Sequence, residues 1–232
     1  MKKPTFCYWS VATGEYARLA SAMVASARAV GVQEDFHIWT DAEEVPGARV
    51  HAAGEFDPWG WLFKLVFLRE QAAKLPYDYL VFLDTDHWFV RHPGDIAGRF
   101  SDVPMHITLE ADLTREEGFL YWWEYPTLWF VDSMRKAGVT TPGVYAVNAG
   151  MFVVRRDAAE EVYRLADQFW GHCKRRGAIY VDEPLLSYAM HRLCSDVSRH
   201  TLEATGDFWA TDLDGLYQNT LPEDRPFDFR GL

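Results

Sequence analysis

Tyr79-Leu80-Val81-Phe82-Leu83-Asp84-Thr85-Asp86-His87-Trp88-Phe89-Val90 decides how the rest of the chain is read. Its first five residues are apolar, aromatic or branched, and they follow a turn at Pro76. A run of that length and composition predicts a buried strand. Two aspartates, one residue apart, stand where the strand ends. In extended chain, residues i and i+2 project to one side, so Asp84 and Asp86 can face one ligand. Carboxylates that close repel unless a positive charge sits between them. A hard divalent cation, Mn²⁺ or Mg²⁺, carrying phosphate oxygens satisfies both. The competing reading is a plain turn facing water. The continuous apolar strand just before the pair favours the metal, because open α/β sheets take their ligands at the carboxyl ends of their strands.

Working back toward residue 1, Thr5 to Ala12 reads as a strand broken by Thr13-Gly14-Glu15. A helix follows with Leu19, Met23, Ala27 and Val30 on one stripe and Gly31 as its stop, and then a strand Phe36 to Thr40 ended by Asp41. Strand, helix and strand within forty residues predict a parallel βαβ unit. Ala48 to Ala52 is a further candidate strand. Asp57-Pro58-Trp59-Gly60-Trp61 opens a helix through about Ala73 that carries Lys64 and Arg69 among apolar residues.

Beyond the central strand, Met105 to Leu109 is predicted as a strand. Glu110 to Glu124 holds five acids against one base around Tyr121-Trp122-Trp123. It reads as an excursion: a lid, an acceptor surface or a packed loop. Val144 to Val147 leads into Asn148-Ala149-Gly150 and then a strand Met151 to Val154. Asp157 and Glu160 fit a capping box opening a helix with Val162, Leu165, Ala166, Phe169, Trp170 and Cys173 on one face. Ala178 to Val181 is a short strand. Asp182-Glu183-Pro184 starts a last helix through about Leu193. From Glu203 the tail carries seven acids, two bases and five aromatics, and is expected to wrap back onto the domain.

Composition narrows the function. The chain has 232 residues and is 49% hydrophobic, enough for a full core. A net charge of −11 disfavours a broad nucleic-acid footprint, which needs clustered Lys and Arg. Three irregularly spaced cysteines make neither a disulfide framework nor a zinc site and suit a reducing compartment. Pro4 and the polar residues after it break any signal-peptide core. No apolar run approaches the ~20 residues of a membrane span, so a cytoplasmic protein without a transmembrane segment is expected.

Five motifs, in order over about residues 5 to 195, resemble those of GT-A-fold glycosyltransferases, the nucleotide-diphospho-sugar transferases. Leu83-Asp84-Thr85-Asp86 looks like their DxD motif. Phe6 to Tyr16 is similar to their first strand and nucleotide loop, and Trp61-Leu62-Phe63-Lys64-Leu65 to their Lys-bearing helix. Asn148 to Arg155 is similar to the N-(S/A)-G strand, and Asp182-Glu183-Pro184-Leu185-Leu186 to the acidic helix start that closes the site. The resemblance implies one GT-A-like α/β domain with a mixed, mostly parallel sheet flanked by helices. About 1–100 would be its nucleotide-sugar half and about 101–232 its acceptor half.

It further implies metal-dependent transfer of a sugar from a nucleotide-diphosphate-sugar, UDP-sugar favoured, to a glycan, small-molecule or protein hydroxyl. A nucleic-acid acceptor is disfavoured. Asp84, Asp86 and His200 would be the metal ligands, with Asp212 and His87 as rivals for the third place. Ala12, Thr13, Tyr16, Lys64, Asp84 and Thr85 would contact the donor, and Asn148, Ala149 and Gly150 the sugar or acceptor. Asp182 or Glu183 would be the general base, or would orient donor or acceptor. One large branch of these enzymes carries a C-terminal His-x-x-Gly-x-x-Lys-Pro-Trp; here only His200-Thr201-Leu202 and, later, Gly206-Asp207-Phe208-Trp209 are found.

Three alternatives stand beside it. A haloacid-dehalogenase-like phosphatase shares a strand followed by Asp-x-Asp, but Trp88 replaces its usual Thr or Val. A non-catalytic carbohydrate- or nucleotide-binding protein on a degenerate transferase scaffold would not need the intact Asp pair. A sugar-nucleotide-forming nucleotidyltransferase would carry a basic residue in the loop Ala12-Thr13-Gly14-Glu15.

Overall fold

The computed structural model describes residues 3–54, 62–100, 103–115, 120–122, 125–178, 182–194 and 209–210. Its strands and helices run in the order β1 (Phe6–Ala12), α1 (Tyr16–Ala29), β2 (Phe36–Thr40), β3 (Arg49–Ala52), α2 (Phe63–Glu70), β4 (Tyr79–Leu83) and β5 (Trp88–Phe89). There follow β6 (Met105–Asp112), β7 (Tyr121–Trp122), β8 (Tyr125–Pro126), α3 (Thr127–Lys136), β9 (Tyr145–Arg155), α4 (Ala159–Arg175), α5 (Asp182–Leu193) and β10 (Trp209–Ala210). The fold is α/β: a mixed, mostly parallel six-stranded sheet flanked by helices. The chain divides into two compact units, one of residues 1–56, 77–99 and 203–232, the other of residues 57–76 and 100–202.

In the first unit the strands lie in the order β3-β2-β1-β4, all parallel. β2 and β4 are buried at every position, as expected for strands covered on both faces. Tyr8 stacks on Phe36 at 4.7 Å and meets Phe89 edge-on at 5.6 Å, so β1, β2 and β5 share one aromatic core. The helix expected over residues 16–30 is α1. Its last-turn Arg28 donates to the carbonyls of Val32, Glu34 and Gly47 and caps the face of Phe36. In the tail, β10 pairs antiparallel with β5, Ala210 opposite Trp88.

In the second unit β9 and β6 pair antiparallel. Three expectations change here. The Lys64 helix ends at Glu70 rather than near Ala73, and Ala72–Lys74 continues as a single 3₁₀ turn. Asp157 does not cap a helix: Arg155 Nε holds its carboxylate at 2.6 Å, and α4 starts beyond a 3₁₀ turn with no side-chain cap. Asn148-Ala149-Gly150 is not a turn between strands but lies inside the continuous β9. The pairing with β6 jumps there from Ile107↔Phe152 to Thr108↔Asn148, leaving residues 149–151 as a bulge. α4 and α5 are joined by Phe169 stacked on Tyr188 at 4.4 Å. Among the described residues no helix is long and apolar enough to cross a membrane.

Candidate functional site

In the first unit the carboxyl ends of the parallel strands carry the Asp-x-Asp. β1 pairs with β2 through Ala12↔Thr40, and with β4 through Trp9↔Phe82, one residue short of Leu83. Past Leu83 the backbone does not stay extended. Asp84 to His87 is a turn closed by His87 N–H donating to Asp84 C=O at 3.2 Å. The directions of the two aspartates are therefore set by this turn and not by strand alternation. The turn does not simply face water: Thr85 is 7% exposed and His87 2%. Oδ1 of Asp86 is buried without a hydrogen-bond partner among the described residues. The Asp86 side chain as a whole is 40% exposed, and Oδ1 lies 3.5 Å from His87 Nδ1, so the carboxylate keeps water on one side and leaves the inner oxygen open to a cation.

The open oxygen of Asp86 is the one feature of this turn that suits a hard cation. The described residues alone do not complete its shell, since they contain no group of three or more His, Cys, Asp or Glu that could hold a metal. His87 Nδ1 lies 3.0 Å from the Asp84 carbonyl, which makes that nitrogen a donor and not a ligand. His200 and Asp212, expected as third ligands, lie outside the described residues, as do Trp61 and the tail's Phe208, Phe227 and Phe229.

The β1–α1 loop stands at the same sheet end. Ala12 is fully buried, paired with Thr40 of β2, while Tyr16 is 57% exposed at the start of α1. Gly14, at φ +58°, donates its N–H to both carboxylate oxygens of Asp41, at 2.9 and 3.1 Å. Asp41, read in the sequence only as a strand stop, is what fixes the loop.

The second unit brings together the remaining expected residues. Lys64 Nζ lies 3.1 Å from Asp182 Oδ2, both side chains almost buried. The same ammonium donates to the Ala149 carbonyl at 3.4 Å. Glu183 Oε1 accepts the Ala149 N–H at 3.2 Å, and its Oε2 accepts the Trp122 indole N–H at 3.0 Å. Asn148 Oδ1 accepts the Gly150 N–H at 2.9 Å, and Asn148 Nδ2 donates to Glu110 at 3.2 Å. The bulge in β9 thus exchanges ladder bonds for side-chain bonds. Trp122 and Glu110 were not expected as partners. Both fall in the stretch read as an excursion, where the aromatic-acidic texture was the available signal.

Comparison with protein-family models finds no match, and comparison with curated proteins finds none.

Proposed function

We propose that the chain is a metal-dependent glycosyltransferase that moves a sugar from a nucleotide-diphosphate-sugar, UDP-sugar first among candidates, to an acceptor hydroxyl. The observation that carries the reading is the Asp84-Thr85-Asp86 turn at the carboxyl end of a buried parallel strand, with Asp86 Oδ1 buried and lacking a hydrogen-bond donor. Asp84 and Asp86 would hold Mn²⁺ or Mg²⁺, which when bound supplies positive charge to a diphosphate leaving group. The remaining work falls to the protein. Thr13 and Tyr16, on a loop held by Asp41, contact the nucleotide, joined by Thr85. Asn148 to Gly150 are the residues proposed to meet sugar or acceptor, Asn148 through the amide hydrogen it does not give to Glu110. Asp182, ion-paired with Lys64, and Glu183 are the carboxylates proposed to take the acceptor's proton or to orient donor or acceptor.

Melting curves with a panel of nucleotides and nucleotide-sugars, in Mn²⁺ and in chelator, test this. A ligand at a hundred times its dissociation constant adds ~2.7 kcal/mol to the folded state. The reading expects a shift with one sugar nucleotide that needs the metal and disappears in Asp86→Asn. A folded protein that shifts with no nucleotide in the presence of metal would overturn it.

A further inference from the structure

We propose that Glu183 is a positioning residue and not the general base. It would act by joining the Trp122 hairpin to the Ala149 peptide. The proposal rests on the transferase reading and assigns work within that same unit.

Residues 149–151 of β9 fall between two registers of the β6 ladder, so their backbone groups on that side need partners other than β6. Glu183 supplies one and Lys64 another. The N–H of Ala149, in the peptide before it, is held by a carboxylate, and its C=O, in the peptide after it, by an ammonium, so both peptides flanking Ala149 are pinned by charged groups. Asp182 in turn anchors the ammonium. Asp182 and Glu183, adjacent at the start of α5, therefore reach the two peptides that flank Ala149, Glu183 directly and Asp182 through Lys64.

The second oxygen of Glu183 goes to Trp122. Trp122 is 4% exposed and packs edge-on against Phe130 at 5.3 Å, so the indole is a fixed donor. Its neighbour Tyr121 is 65% exposed on the same β7–β8 hairpin. Through Glu183 the hairpin that shows Tyr121 to solvent is tied to the bulge that carries Asn148.

This geometry opposes a proton-accepting role. A base must offer a lone pair to the acceptor hydroxyl. Each Glu183 oxygen already receives an N–H, and such bonds favour the charged form and weaken it as a base. What Glu183 contributes is the placement of the groups that contact sugar and acceptor. Trp122 becomes a positioning residue through it.

The experiment compares Glu183→Gln, Trp122→Phe and the double variant in the full chain. Amide exchange of Ala149, read by NMR, is the first measurement, and it needs no substrate. Gln offers one carbonyl oxygen for two donors, so Ala149 exchange is expected to accelerate in Glu183→Gln, and less so in Trp122→Phe. Transfer kinetics are the second. The acceptor KM is expected to rise roughly three- to tenfold in each single variant, the value of one lost hydrogen bond. The double variant should fall short of the product of the two, because they share one contact. The acid limb of the pH–rate profile should survive in Glu183→Gln.

A kcat reduced ~100-fold or more in Glu183→Gln, with that limb gone and Trp122→Phe silent, would make Glu183 the base and overturn the proposal. Unchanged Ala149 exchange in Glu183→Gln would overturn it equally. If the wild type turns over no sugar nucleotide, the transferase reading falls by itself, and the exchange measurement alone then decides the clamp.

Discussion

Lys64 shows how far one residue's environment revises its reading. A Lys on a helix before the Asp-x-Asp strand suggests a charge for phosphate. In the folded chain its ammonium is 3.1 Å from Asp182, with side-chain exposures of 9% and 12%. Removing one partner of such a pair leaves an uncompensated buried charge, which typically costs about 3–5 kcal/mol. Lys64→Met is therefore expected to lower unfolding free energy by about that amount, measured by urea denaturation. Lys64→Met with Asp182→Leu should recover most of it, because a buried pair replaced by apolar groups is often close to neutral. Equal losses in the single and double variants would mean that the pair contributes little and that Lys64 acts through packing. The same logic applies in reverse at Asp86. Its buried oxygen lacks a donor, so Asp86→Asn is expected to leave metal-free stability unchanged or slightly higher while abolishing stabilisation by Mn²⁺, both read from melting curves.

At the scale of elements, what the sequence made legible and what it hid separate cleanly by physics. β1, β2, β4, α1, α4 and α5 all follow runs whose composition or period is local, and the structure places each close to its expected limits. The bulge in β9 was hidden because a register shift is a property of two strands, and nothing in Asn148-Ala149-Gly150 alone says which residue stands opposite. The Trp122–Glu183 and Lys64–Ala149 bonds were hidden because their partners are 61 and 85 residues apart. The capping box at Asp157 failed for a local reason: Arg155, two residues away, took the carboxylate first. Arg28 was hidden as well, because the loop carbonyls it reaches are fixed only by the fold. A base in the last turn suits the helix dipole, but the guanidinium also closes three loop carbonyls at 2.7, 3.0 and 2.7 Å. Lys cannot reproduce that fork. Arg28→Lys is expected to destabilise the first unit by roughly 1–2 kcal/mol in denaturant titrations, without changing the denaturant slope.

At the scale of the whole molecule, acid should unfold the chain from a definite place. His37 is 2% exposed, and its Nδ1 lies 2.8 Å from His51 Nε2. Tyr77 faces its other nitrogen and donates its hydroxyl proton to Asp35, which Arg49 also approaches at 3.1 Å. In the arrangement that satisfies every donor, His51 Nε2–H donates to His37 Nδ1, His37 Nε2–H to Tyr77, and Tyr77 to Asp35, with both imidazoles neutral. Burial first, then the neighbouring His51 and Arg49, lowers the His37 pKa to about 4, and His51 is lowered as well, by burial and Arg49. The folded state therefore binds protons less readily than the unfolded chain, whose histidines titrate near 6.5. Stability from this cluster is complete above about pH 6.5, falls as pH drops toward 4, and is flat below it. The full loss from His37 is on the order of 3 kcal/mol, since its pKa falls from 6.5 to about 4 and each unit corresponds to about 1.4 kcal/mol. Urea unfolding between pH 4.5 and 8 reads this directly: wild type should lose stability continuously below pH 6.5, and His37→Phe should flatten that slope even if its plateau lies lower. A slope unchanged by His37→Phe would move the acid sensitivity elsewhere, to the carboxylates that give the chain its charge of −11.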